Sequence, residues 1–359
     1  MNVIAVGAAF PENEYSQQEL TAALDGYWKR KFFNPDRLAL FHKNLAVRSR
    51  RFCVTLEQLQ SLNGFGGRND LWLHHAQELG ERAIRDALDR AGLQPGDIDH
   101  IFFTTVTGLA TPSIDARLVN RLDLKRDVRR TPIFGLGCLG GAAGVSRAAD
   151  YVKAYPDKIA VLLSVELCSL TIQKEDISIA NIVSTGLFGD GAAAVIVAGA
   201  ESKVHDQTAR EDAGTRPRIR ATHASFYKDS ERIMGWDMVD DGFKIVLSPN
   251  VPRMVRENAP RDFARIAELG GVAPEAVRHY ICHPGGPKVL EAMSESLNLP
   301  DGALDVSWNS LREIGNLSST SVLLILREYL ETVRPAAGEC GVLMAMGPGF
   351  CSEWVLLEW

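Results

Sequence analysis

The sequence predicts a layered α/β fold made by duplication. Strands and helices alternate along the chain, several strands are apolar on both faces, and one βα block recurs about half a chain later. The 359 residues are 46% hydrophobic and 23% charged, with a net charge of −6. That is ordinary globular composition, enough for about two domains. No basic excess is present to neutralise phosphates, which argues against nucleic acid as the main partner. No apolar run approaches the ~18–20 residues of a bilayer span, so no transmembrane segment is expected.

The opening MNVIAVGAAFPENEY lacks a basic n-region and reads as a first strand, not a signal peptide. Residues 70–92 have helical apolar spacing, and a proline turn leads into a strand at 100–106. Residues 131–155 read as a short strand, a glycine-rich turn and a helix. KIAVLLSVE at 158–166 and GDGAAAVIVAG at 189–199 read as buried strands. Residues 200–217 are polar and turn-rich, which suggests a surface linker. It divides the chain into 1–217 and 218–359.

The second half repeats the first. GLQPGDIDHIFF at 92–103 aligns with GVAPEAVRHYIC at 271–282, and at nearly the same shift GCLGG at 137–141 meets GNLSS at 315–319. A long helical pattern follows both. This implies pseudo-twofold symmetry, with Cys138 and Asn316 at equivalent helix starts and His283 at the position of Thr104.

The six cysteines lie at 53, 138, 168, 282, 340 and 351, and none forms a CxxC pair. A disulfide framework or zinc site is not expected, and free thiols fit a reducing cytoplasm. No cluster of metal ligands is visible in the sequence.

Cys138 lies in PIFGLGCLGGAAGVSRAADYV, where a strand gives way to a tight turn and a helix. Unpaired N–H groups and the positive end of the helix dipole would lower its pKa and favour thiolate. A buried, inert cysteine fits the local sequence about equally. The same stretch matches GxGxxG through Gly135, Gly137 and Gly140, with Glu166 near the place of a ribose-binding acid. A NAD-dependent oxidoreductase is therefore a rival. His283, in HYICHPGGPKVLEAM, follows a strand into a Pro-Gly-Gly loop, as a functional imidazole or an ordinary loop histidine. Asn316, in REIGNLSSTSV, is a helix cap, an oxyanion donor, or both. Thiol, imidazole and amide together make a set for nucleophilic acyl transfer.

These residues resemble the thiolase superfamily and, more closely, the type III polyketide synthases of the chalcone and stilbene synthase family. The resemblance runs over essentially the whole chain. The spacing of Cys138, His283 and Asn316 agrees with the family pattern, as do GLFGDGAAA at 186–194 and MGPGF at 346–350.

The resemblance implies a duplicated five-layer αβαβα thiolase-like fold, a homodimer, and CoA thioesters as substrates with no separate cofactor. Cys138 would carry the acyl group. His283 and Asn316 would drive malonyl-CoA decarboxylation, and Phe188 would separate a CoA tunnel from the reaction cavity. Thr111, Cys168, Thr171, Gly242, Ser318, Met346, Gly347, Pro348 and Gly349 fall at substrate-binding positions. Arg37, Lys43, Arg48 and Arg50, in a cluster that also holds His42 and Arg51, match the region that binds CoA phosphates. The wording around Cys138 and CSLTIQ at 168–173 is similar to bacterial alkylresorcinol and alkylpyrone synthases, which implies a long-chain acyl-CoA starter. The nearest enzyme rival is a ketoacyl synthase III fed by acyl carrier protein. A degradative thiolase would want a second cysteine, for which Cys351 is a weak candidate. A non-catalytic acyl-CoA binder would not need the nucleophile.

Overall fold

The computed structural model describes residues 1–28, 36–205 and 216–359, apart from the side chains of residues 26–28, 36 and 37. Nine strands lie in the order Val277–Cys282, Cys340–Gly347, Cys351–Glu358, Arg218–Phe226, Asn2–Ala9, Asp190–Ala198, Ile159–Leu167, His100–Thr105 and Arg129–Phe134. The first four belong to the C-terminal half and the last five to the N-terminal half. One residue pair, Asn2 with Arg218, joins the halves in this ladder, so they read as two sheets sharing a seam.

The duplication is explicit in the pairing. His100–Thr105 runs parallel to Ile159–Leu167, which runs antiparallel to Asp190–Ala198. Val277–Cys282 runs parallel to Cys340–Gly347, which runs antiparallel to Cys351–Glu358. The recurring sequence block forms a short 3₁₀ turn before a strand in both places, Pro95–Asp97 and Pro274–Ala276. The halves differ before their key turns. The N-terminal half has the edge strand Arg129–Phe134, and the C-terminal half has the helix Asp305–Ile314.

Three apolar cores correspond to three helical layers around the two sheets. Outside the N-terminal sheet, helix Phe65–Ala91 buries Trp72, Leu79 and Ile84 against Val161, Leu163 and Ala194. Between the sheets, helices Gly140–Ala154 and Ser321–Glu328 bury Val145, Ala149, Val322 and Leu326 against Leu162, Val195, Leu343 and Val355. Outside the C-terminal sheet, helices Val251–Leu269 and Pro287–Ser296 bury Val255, Ile266 and Leu290 against Val342, Met344 and Trp354. The layers are αβαβα. Ile159–Leu167 is buried at all nine positions because helices cover both of its faces. No helix among the described residues is long and apolar enough to cross a membrane.

Candidate active site

Cys138 is delivered by close backbone packing. Strand Arg129–Phe134 ends, Gly135 and Gly137 adopt positive φ, and the 3₁₀ turn Gly137–Leu139 leads directly into helix Gly140–Ala154. A Cβ on Gly137 would stand 2.5 Å from Cδ of Pro348, and one on Gly141 would collide with the Ser319 carbonyl. Only glycine lets the two turns and the Pro348 loop converge here.

The thiol departs from the sequence expectation. Burial pushes Cys138 up to about 12, while a hydrogen bond with Ser318 works the other way. Desolvation is the largest influence on it, so the resting group is a neutral thiol that must lose a proton to act as a nucleophile.

His283 follows strand Val277–Cys282, and its N–H donates to the Met344 carbonyl at 2.9 Å. The residue is 5% exposed, and neither ring nitrogen has a protein hydrogen-bond partner. Burial lowers its pKa to about 3, so the imidazole is neutral near pH 7. In the neutral form one ring nitrogen is an acceptor and the other an N–H donor.

Asn316 is held on both sides. Its N–H donates to Leu187 O at 2.9 Å, and its carbonyl accepts from Gly189 N at 3.0 Å, forming a parallel bridge with Phe188. Its Oδ1 accepts the Ser318 N–H at 2.8 Å, an Asx turn. The side-chain oxygen is thus occupied, and the amide's donor end is left for the cavity. The alternatives posed by the sequence coexist: Asn316 organises the following turn and keeps its donors. Its local setting is not that of Cys138, however, because Asn316 precedes the 3₁₀ turn Ser318–Thr320 and the helix lies beyond that turn.

Cys138, His283, Asn316 and Ser318 line one cavity with about 810 Å³ of empty space, its open mouth included. Phe188, Cys168, Met346 and Pro348 line it as well. Cys168, Thr171 and Phe188 also border a smaller chamber of about 260 Å³, where Thr171 donates to Cys168 O at 2.8 Å.

Several expected site residues lie elsewhere. Thr111 is exposed on the loop before helix Ile114–Leu122 and lines no part of this chain's cavity. Gly242 lies outside the main cavity, beside Phe65. Ile245 and Leu247 reach the cavity from the far end of this strand, whereas Gly242 and Phe243 at its start line a separate pocket with Phe65 and Arg68. Gly347 and Gly349 shape the loop without lining the cavity. Gly347 abuts Leu136 and Leu139, and Gly349 has positive φ. Cys351 is also outside, its thiol donating to Pro348 O at 3.1 Å.

The basic cluster divides. Arg50 is wholly buried and hydrogen-bonded to interior groups, so it does not meet a CoA phosphate. His42 is buried between Thr21 and the Ile182 carbonyl. Arg48 is exposed and paired with Glu313, Arg51 pairs with Glu14, and Lys43 is exposed. The side chain of Arg37 lies outside the described residues.

Sequence reasoning missed the cavity's second wall. A two-stranded ribbon, Met234–Val239 with Gly242–Leu247, contributes Met234, Trp236, Ile245 and Leu247. Trp236 pairs with Ile245 and Met234 with Leu247, so period-two alternation was the available signal. Val106 is a further missed lining residue. On the surface of helix Phe65–Ala91, His74, His75 and Glu78 place one ligand atom each within 4.8 Å of the others, a grouping not seen in the sequence.

The GxGxxG reading fails on chemistry. Glu166 is wholly buried and accepts from Val106 N at 3.1 Å, Thr107 Oγ1 at 3.0 Å and Ser319 Oγ. Its lone pairs serve the interior, and Pro348 stands where a pyrophosphate would approach Gly137.

The family model for the N-terminal domain of chalcone and stilbene synthases matches residues 1–201, and that for their C-terminal domain matches residues 218–358. The chain belongs to the chalcone and stilbene synthase family. It is a type III polyketide synthase with a thiolase fold, an acyltransferase-type condensing enzyme that uses malonyl-CoA. This sets aside the ketoacyl synthase III and dinucleotide readings. A 1,3,6,8-tetrahydroxynaphthalene synthase of Streptomyces peucetius subsp. caesius is 45% identical over 358 residues, covering 100% of this chain and 93% of the relative. A putative chalcone synthase of Bacillus subtilis is 32% identical, covering 99% of this chain and 98% of the relative. The crystal structure of the tetrahydroxynaphthalene synthase of Streptomyces coelicolor superposes with TM-score 0.91 at 29% identity, covering 100% and 99% of the two chains.

Proposed function

We propose that this polyketide synthase uses Cys138 as nucleophile and His283 with Asn316 as the decarboxylation and oxyanion groups. One observation carries this: the three side chains share a desolvated cavity in which both His283 nitrogens and the donor end of Asn316 are uncommitted. Neutral His283 takes the Cys138 proton, and the thiolate attacks the acyl-CoA carbonyl. CoA leaves as a thiol, with the proton returned by His283. Malonyl-CoA then loses CO₂. The electron pair passes into the thioester as an enolate, which receives hydrogen bonds from His283 and Asn316. Its carbon attacks the Cys138 thioester and displaces the thiolate, leaving a CoA ester longer by one two-carbon unit.

For the product, we favour a polyhydroxylated aromatic built from malonyl units, of the tetrahydroxynaphthalene type. The 45% identity to a synthase of that name supports this. So does Trp236, whose indole stands at the wall between the main cavity and the smaller chamber. That chamber offers Asn181, Ser184 and Thr185, a polar lining ill suited to a fatty tail. An alkylresorcinol or alkylpyrone made from a long acyl starter is the second reading. It draws on the small side chains Cys168 and Thr171 at the chamber wall.

Lys43 and Arg48, both exposed, are the described cations left for CoA phosphates from the predicted cluster. A homodimer is supported by the edge strand Arg129–Phe134, which presents an unpaired rim and a Phe134 that is 52% exposed. A reducing cytoplasm is supported by six free cysteines.

The test is a mass-spectrometric product assay with labelled malonyl-CoA, alone and beside short, aromatic and long-chain acyl-CoAs, with Cys138→Ala as control. Naphthol-type products from malonyl-CoA alone would support the first reading. Alkyl products that require a long-chain starter would replace it with the second. Product formation by the Cys138→Ala variant would refute the nucleophile assignment.

A further inference from the structure

We infer that Arg50 is a positioning residue that holds the gatekeeper Phe188 and the oxyanion donor Asn316 in register through one buried guanidinium. The inference rests on the catalytic assignment proposed above.

Arg50 lies on the short strand Ser49–Phe52 and is 0% exposed. A buried guanidinium is costly unless its donors are satisfied. Here Nη1 serves backbone carbonyls at the end of helix Ile179–Leu187 and Nη2 serves a glutamine, while Nε alone has no partner. Nη1 donates to Thr185 O at 2.5 Å and to Phe188 O at 3.0 Å. Nη2 donates to Gln17 Oε1 at 2.7 Å, and Gln17 Nε2 donates onward to Gly186 O at 2.8 Å. Three carbonyls of the segment that ends in Phe188 are therefore gathered by one cation and its glutamine partner. They belong to the last turn of the helix, where backbone oxygens lack intrahelical partners and favour a positive charge.

The same arginine touches the Asn316 side through its aliphatic stem. A Cβ on Gly315 would meet Arg50 Cγ at 2.9 Å, and one on Gly189 would meet Arg50 Cβ at 3.4 Å. Gly315 and Gly189 flank the two residues of the Phe188–Asn316 bridge, whose hydrogen bonds run from Asn316 N to Leu187 O and from Gly189 N to Asn316 O. The head of Arg50 thus fixes one strand of this bridge, and its stem backs the glycines beside it. Arg50 lines no part of the cavity, so it would act only through these residues. Lysine cannot replace it, because a single ammonium lacks the planar fork that spans Thr185 O, Phe188 O and Gln17 Oε1.

The test uses full-length Arg50→Lys and Gln17→Leu, the second removing the Nη2 acceptor while leaving the arginine. Release of CO₂ from labelled malonyl-CoA and iodoacetamide alkylation of Cys138 are measured side by side. The expected result is a decarboxylation rate at least tenfold lower in Arg50→Lys, and lowered to a smaller degree in Gln17→Leu, with Cys138 alkylation within twofold of wild type. A Phe188 that has drifted would also shift the product distribution toward shorter or derailed chains. If both rates fall together, Arg50 is a general structural residue and the inference is wrong. It is equally wrong if neither rate changes. Should Arg50→Lys prove insoluble, Gln17→Leu decides by the same comparison. Wild-type decarboxylation in Asn316→Ala would instead break the catalytic assignment, so the two failures are distinguishable.

Discussion

The Cys138 turn and the Asn316 turn are equivalent in the duplicated sequence, yet the protein places them by different physics. Cys138 arrives on a turn whose glycines let it press against Ser319 and Pro348, two residues ahead of a helix. Asn316 lies in extended backbone bridged to Phe188, further from its helix and fixed by hydrogen bonds at N–H, carbonyl and Oδ1. The thiol is positioned by the absence of side chains and the amide by a network. A gene duplication thus supplies two similar helix entries, and what packs against each decides its chemistry.

The largest effects should come from exchanging those roles for nothing. Cys138→Ala should abolish polyketide formation while still releasing CO₂ from malonyl-CoA. Asn316→Ala should keep acylation of Cys138 and lose roughly 10²–10³ in decarboxylation, the usual effect of deleting one oxyanion donor, about 2.7–4 kcal/mol. Radiolabelled CO₂ release and intact-protein mass measure the two separately.

A second contrast concerns stability. Gly141→Ala should lower the unfolding free energy by about 1–3 kcal/mol, because the new methyl meets the Ser319 carbonyl and the core is overpacked. Ser318 already adopts left-handed backbone, with φ 49. Ser318→Gly should therefore change stability by less than about 1 kcal/mol, since relief of strain opposes the added freedom of the unfolded chain. Denaturant midpoints of the two variants would reveal the difference.

A further expected effect is a pH dependence that both halves share. Burial lowers His283 to about 3 in the C-terminal half, and burial with the nearby Arg50 charge lowers His42 to about 4 in the N-terminal half. Both lie below the ordinary 6.5, so folding favours their neutral forms. Their contribution is complete above pH 6.5, declines as the pH falls, and is gone below the folded values of about 4 and about 3. Thermal midpoints should drop between pH 6.5 and 4, and His283→Asn should flatten part of that slope. An unchanged profile in that variant would mean that His283 is not held neutral.

The candidate site's residue types and the duplication were legible because each leaves a local mark. Glycines surround Cys138, a proline and a histidine recur at fixed places in both blocks, and apolar runs mark strands covered on both faces. Arg50 was misread as a CoA contact because a basic residue in a basic cluster gives no sign of burial. Gly242 was misplaced and Trp236 missed because which part of the ribbon lies against the cavity depends on the distant segments packed on it, which local sequence does not give.

By itself, the sequence determined the α/β duplication, the family, and the presence of one thiol, one imidazole and one amide at its characteristic places. Those are matters of residue identity and spacing along the chain. Tertiary structure alone decided that the three share a cavity, that burial dominates the thiol's proton affinity, and that Arg50 points inward. Proton affinities and hydrogen-bond partners depend on which distant segments exclude water from a side chain, and such neighbours are set by packing across the seam between the two halves.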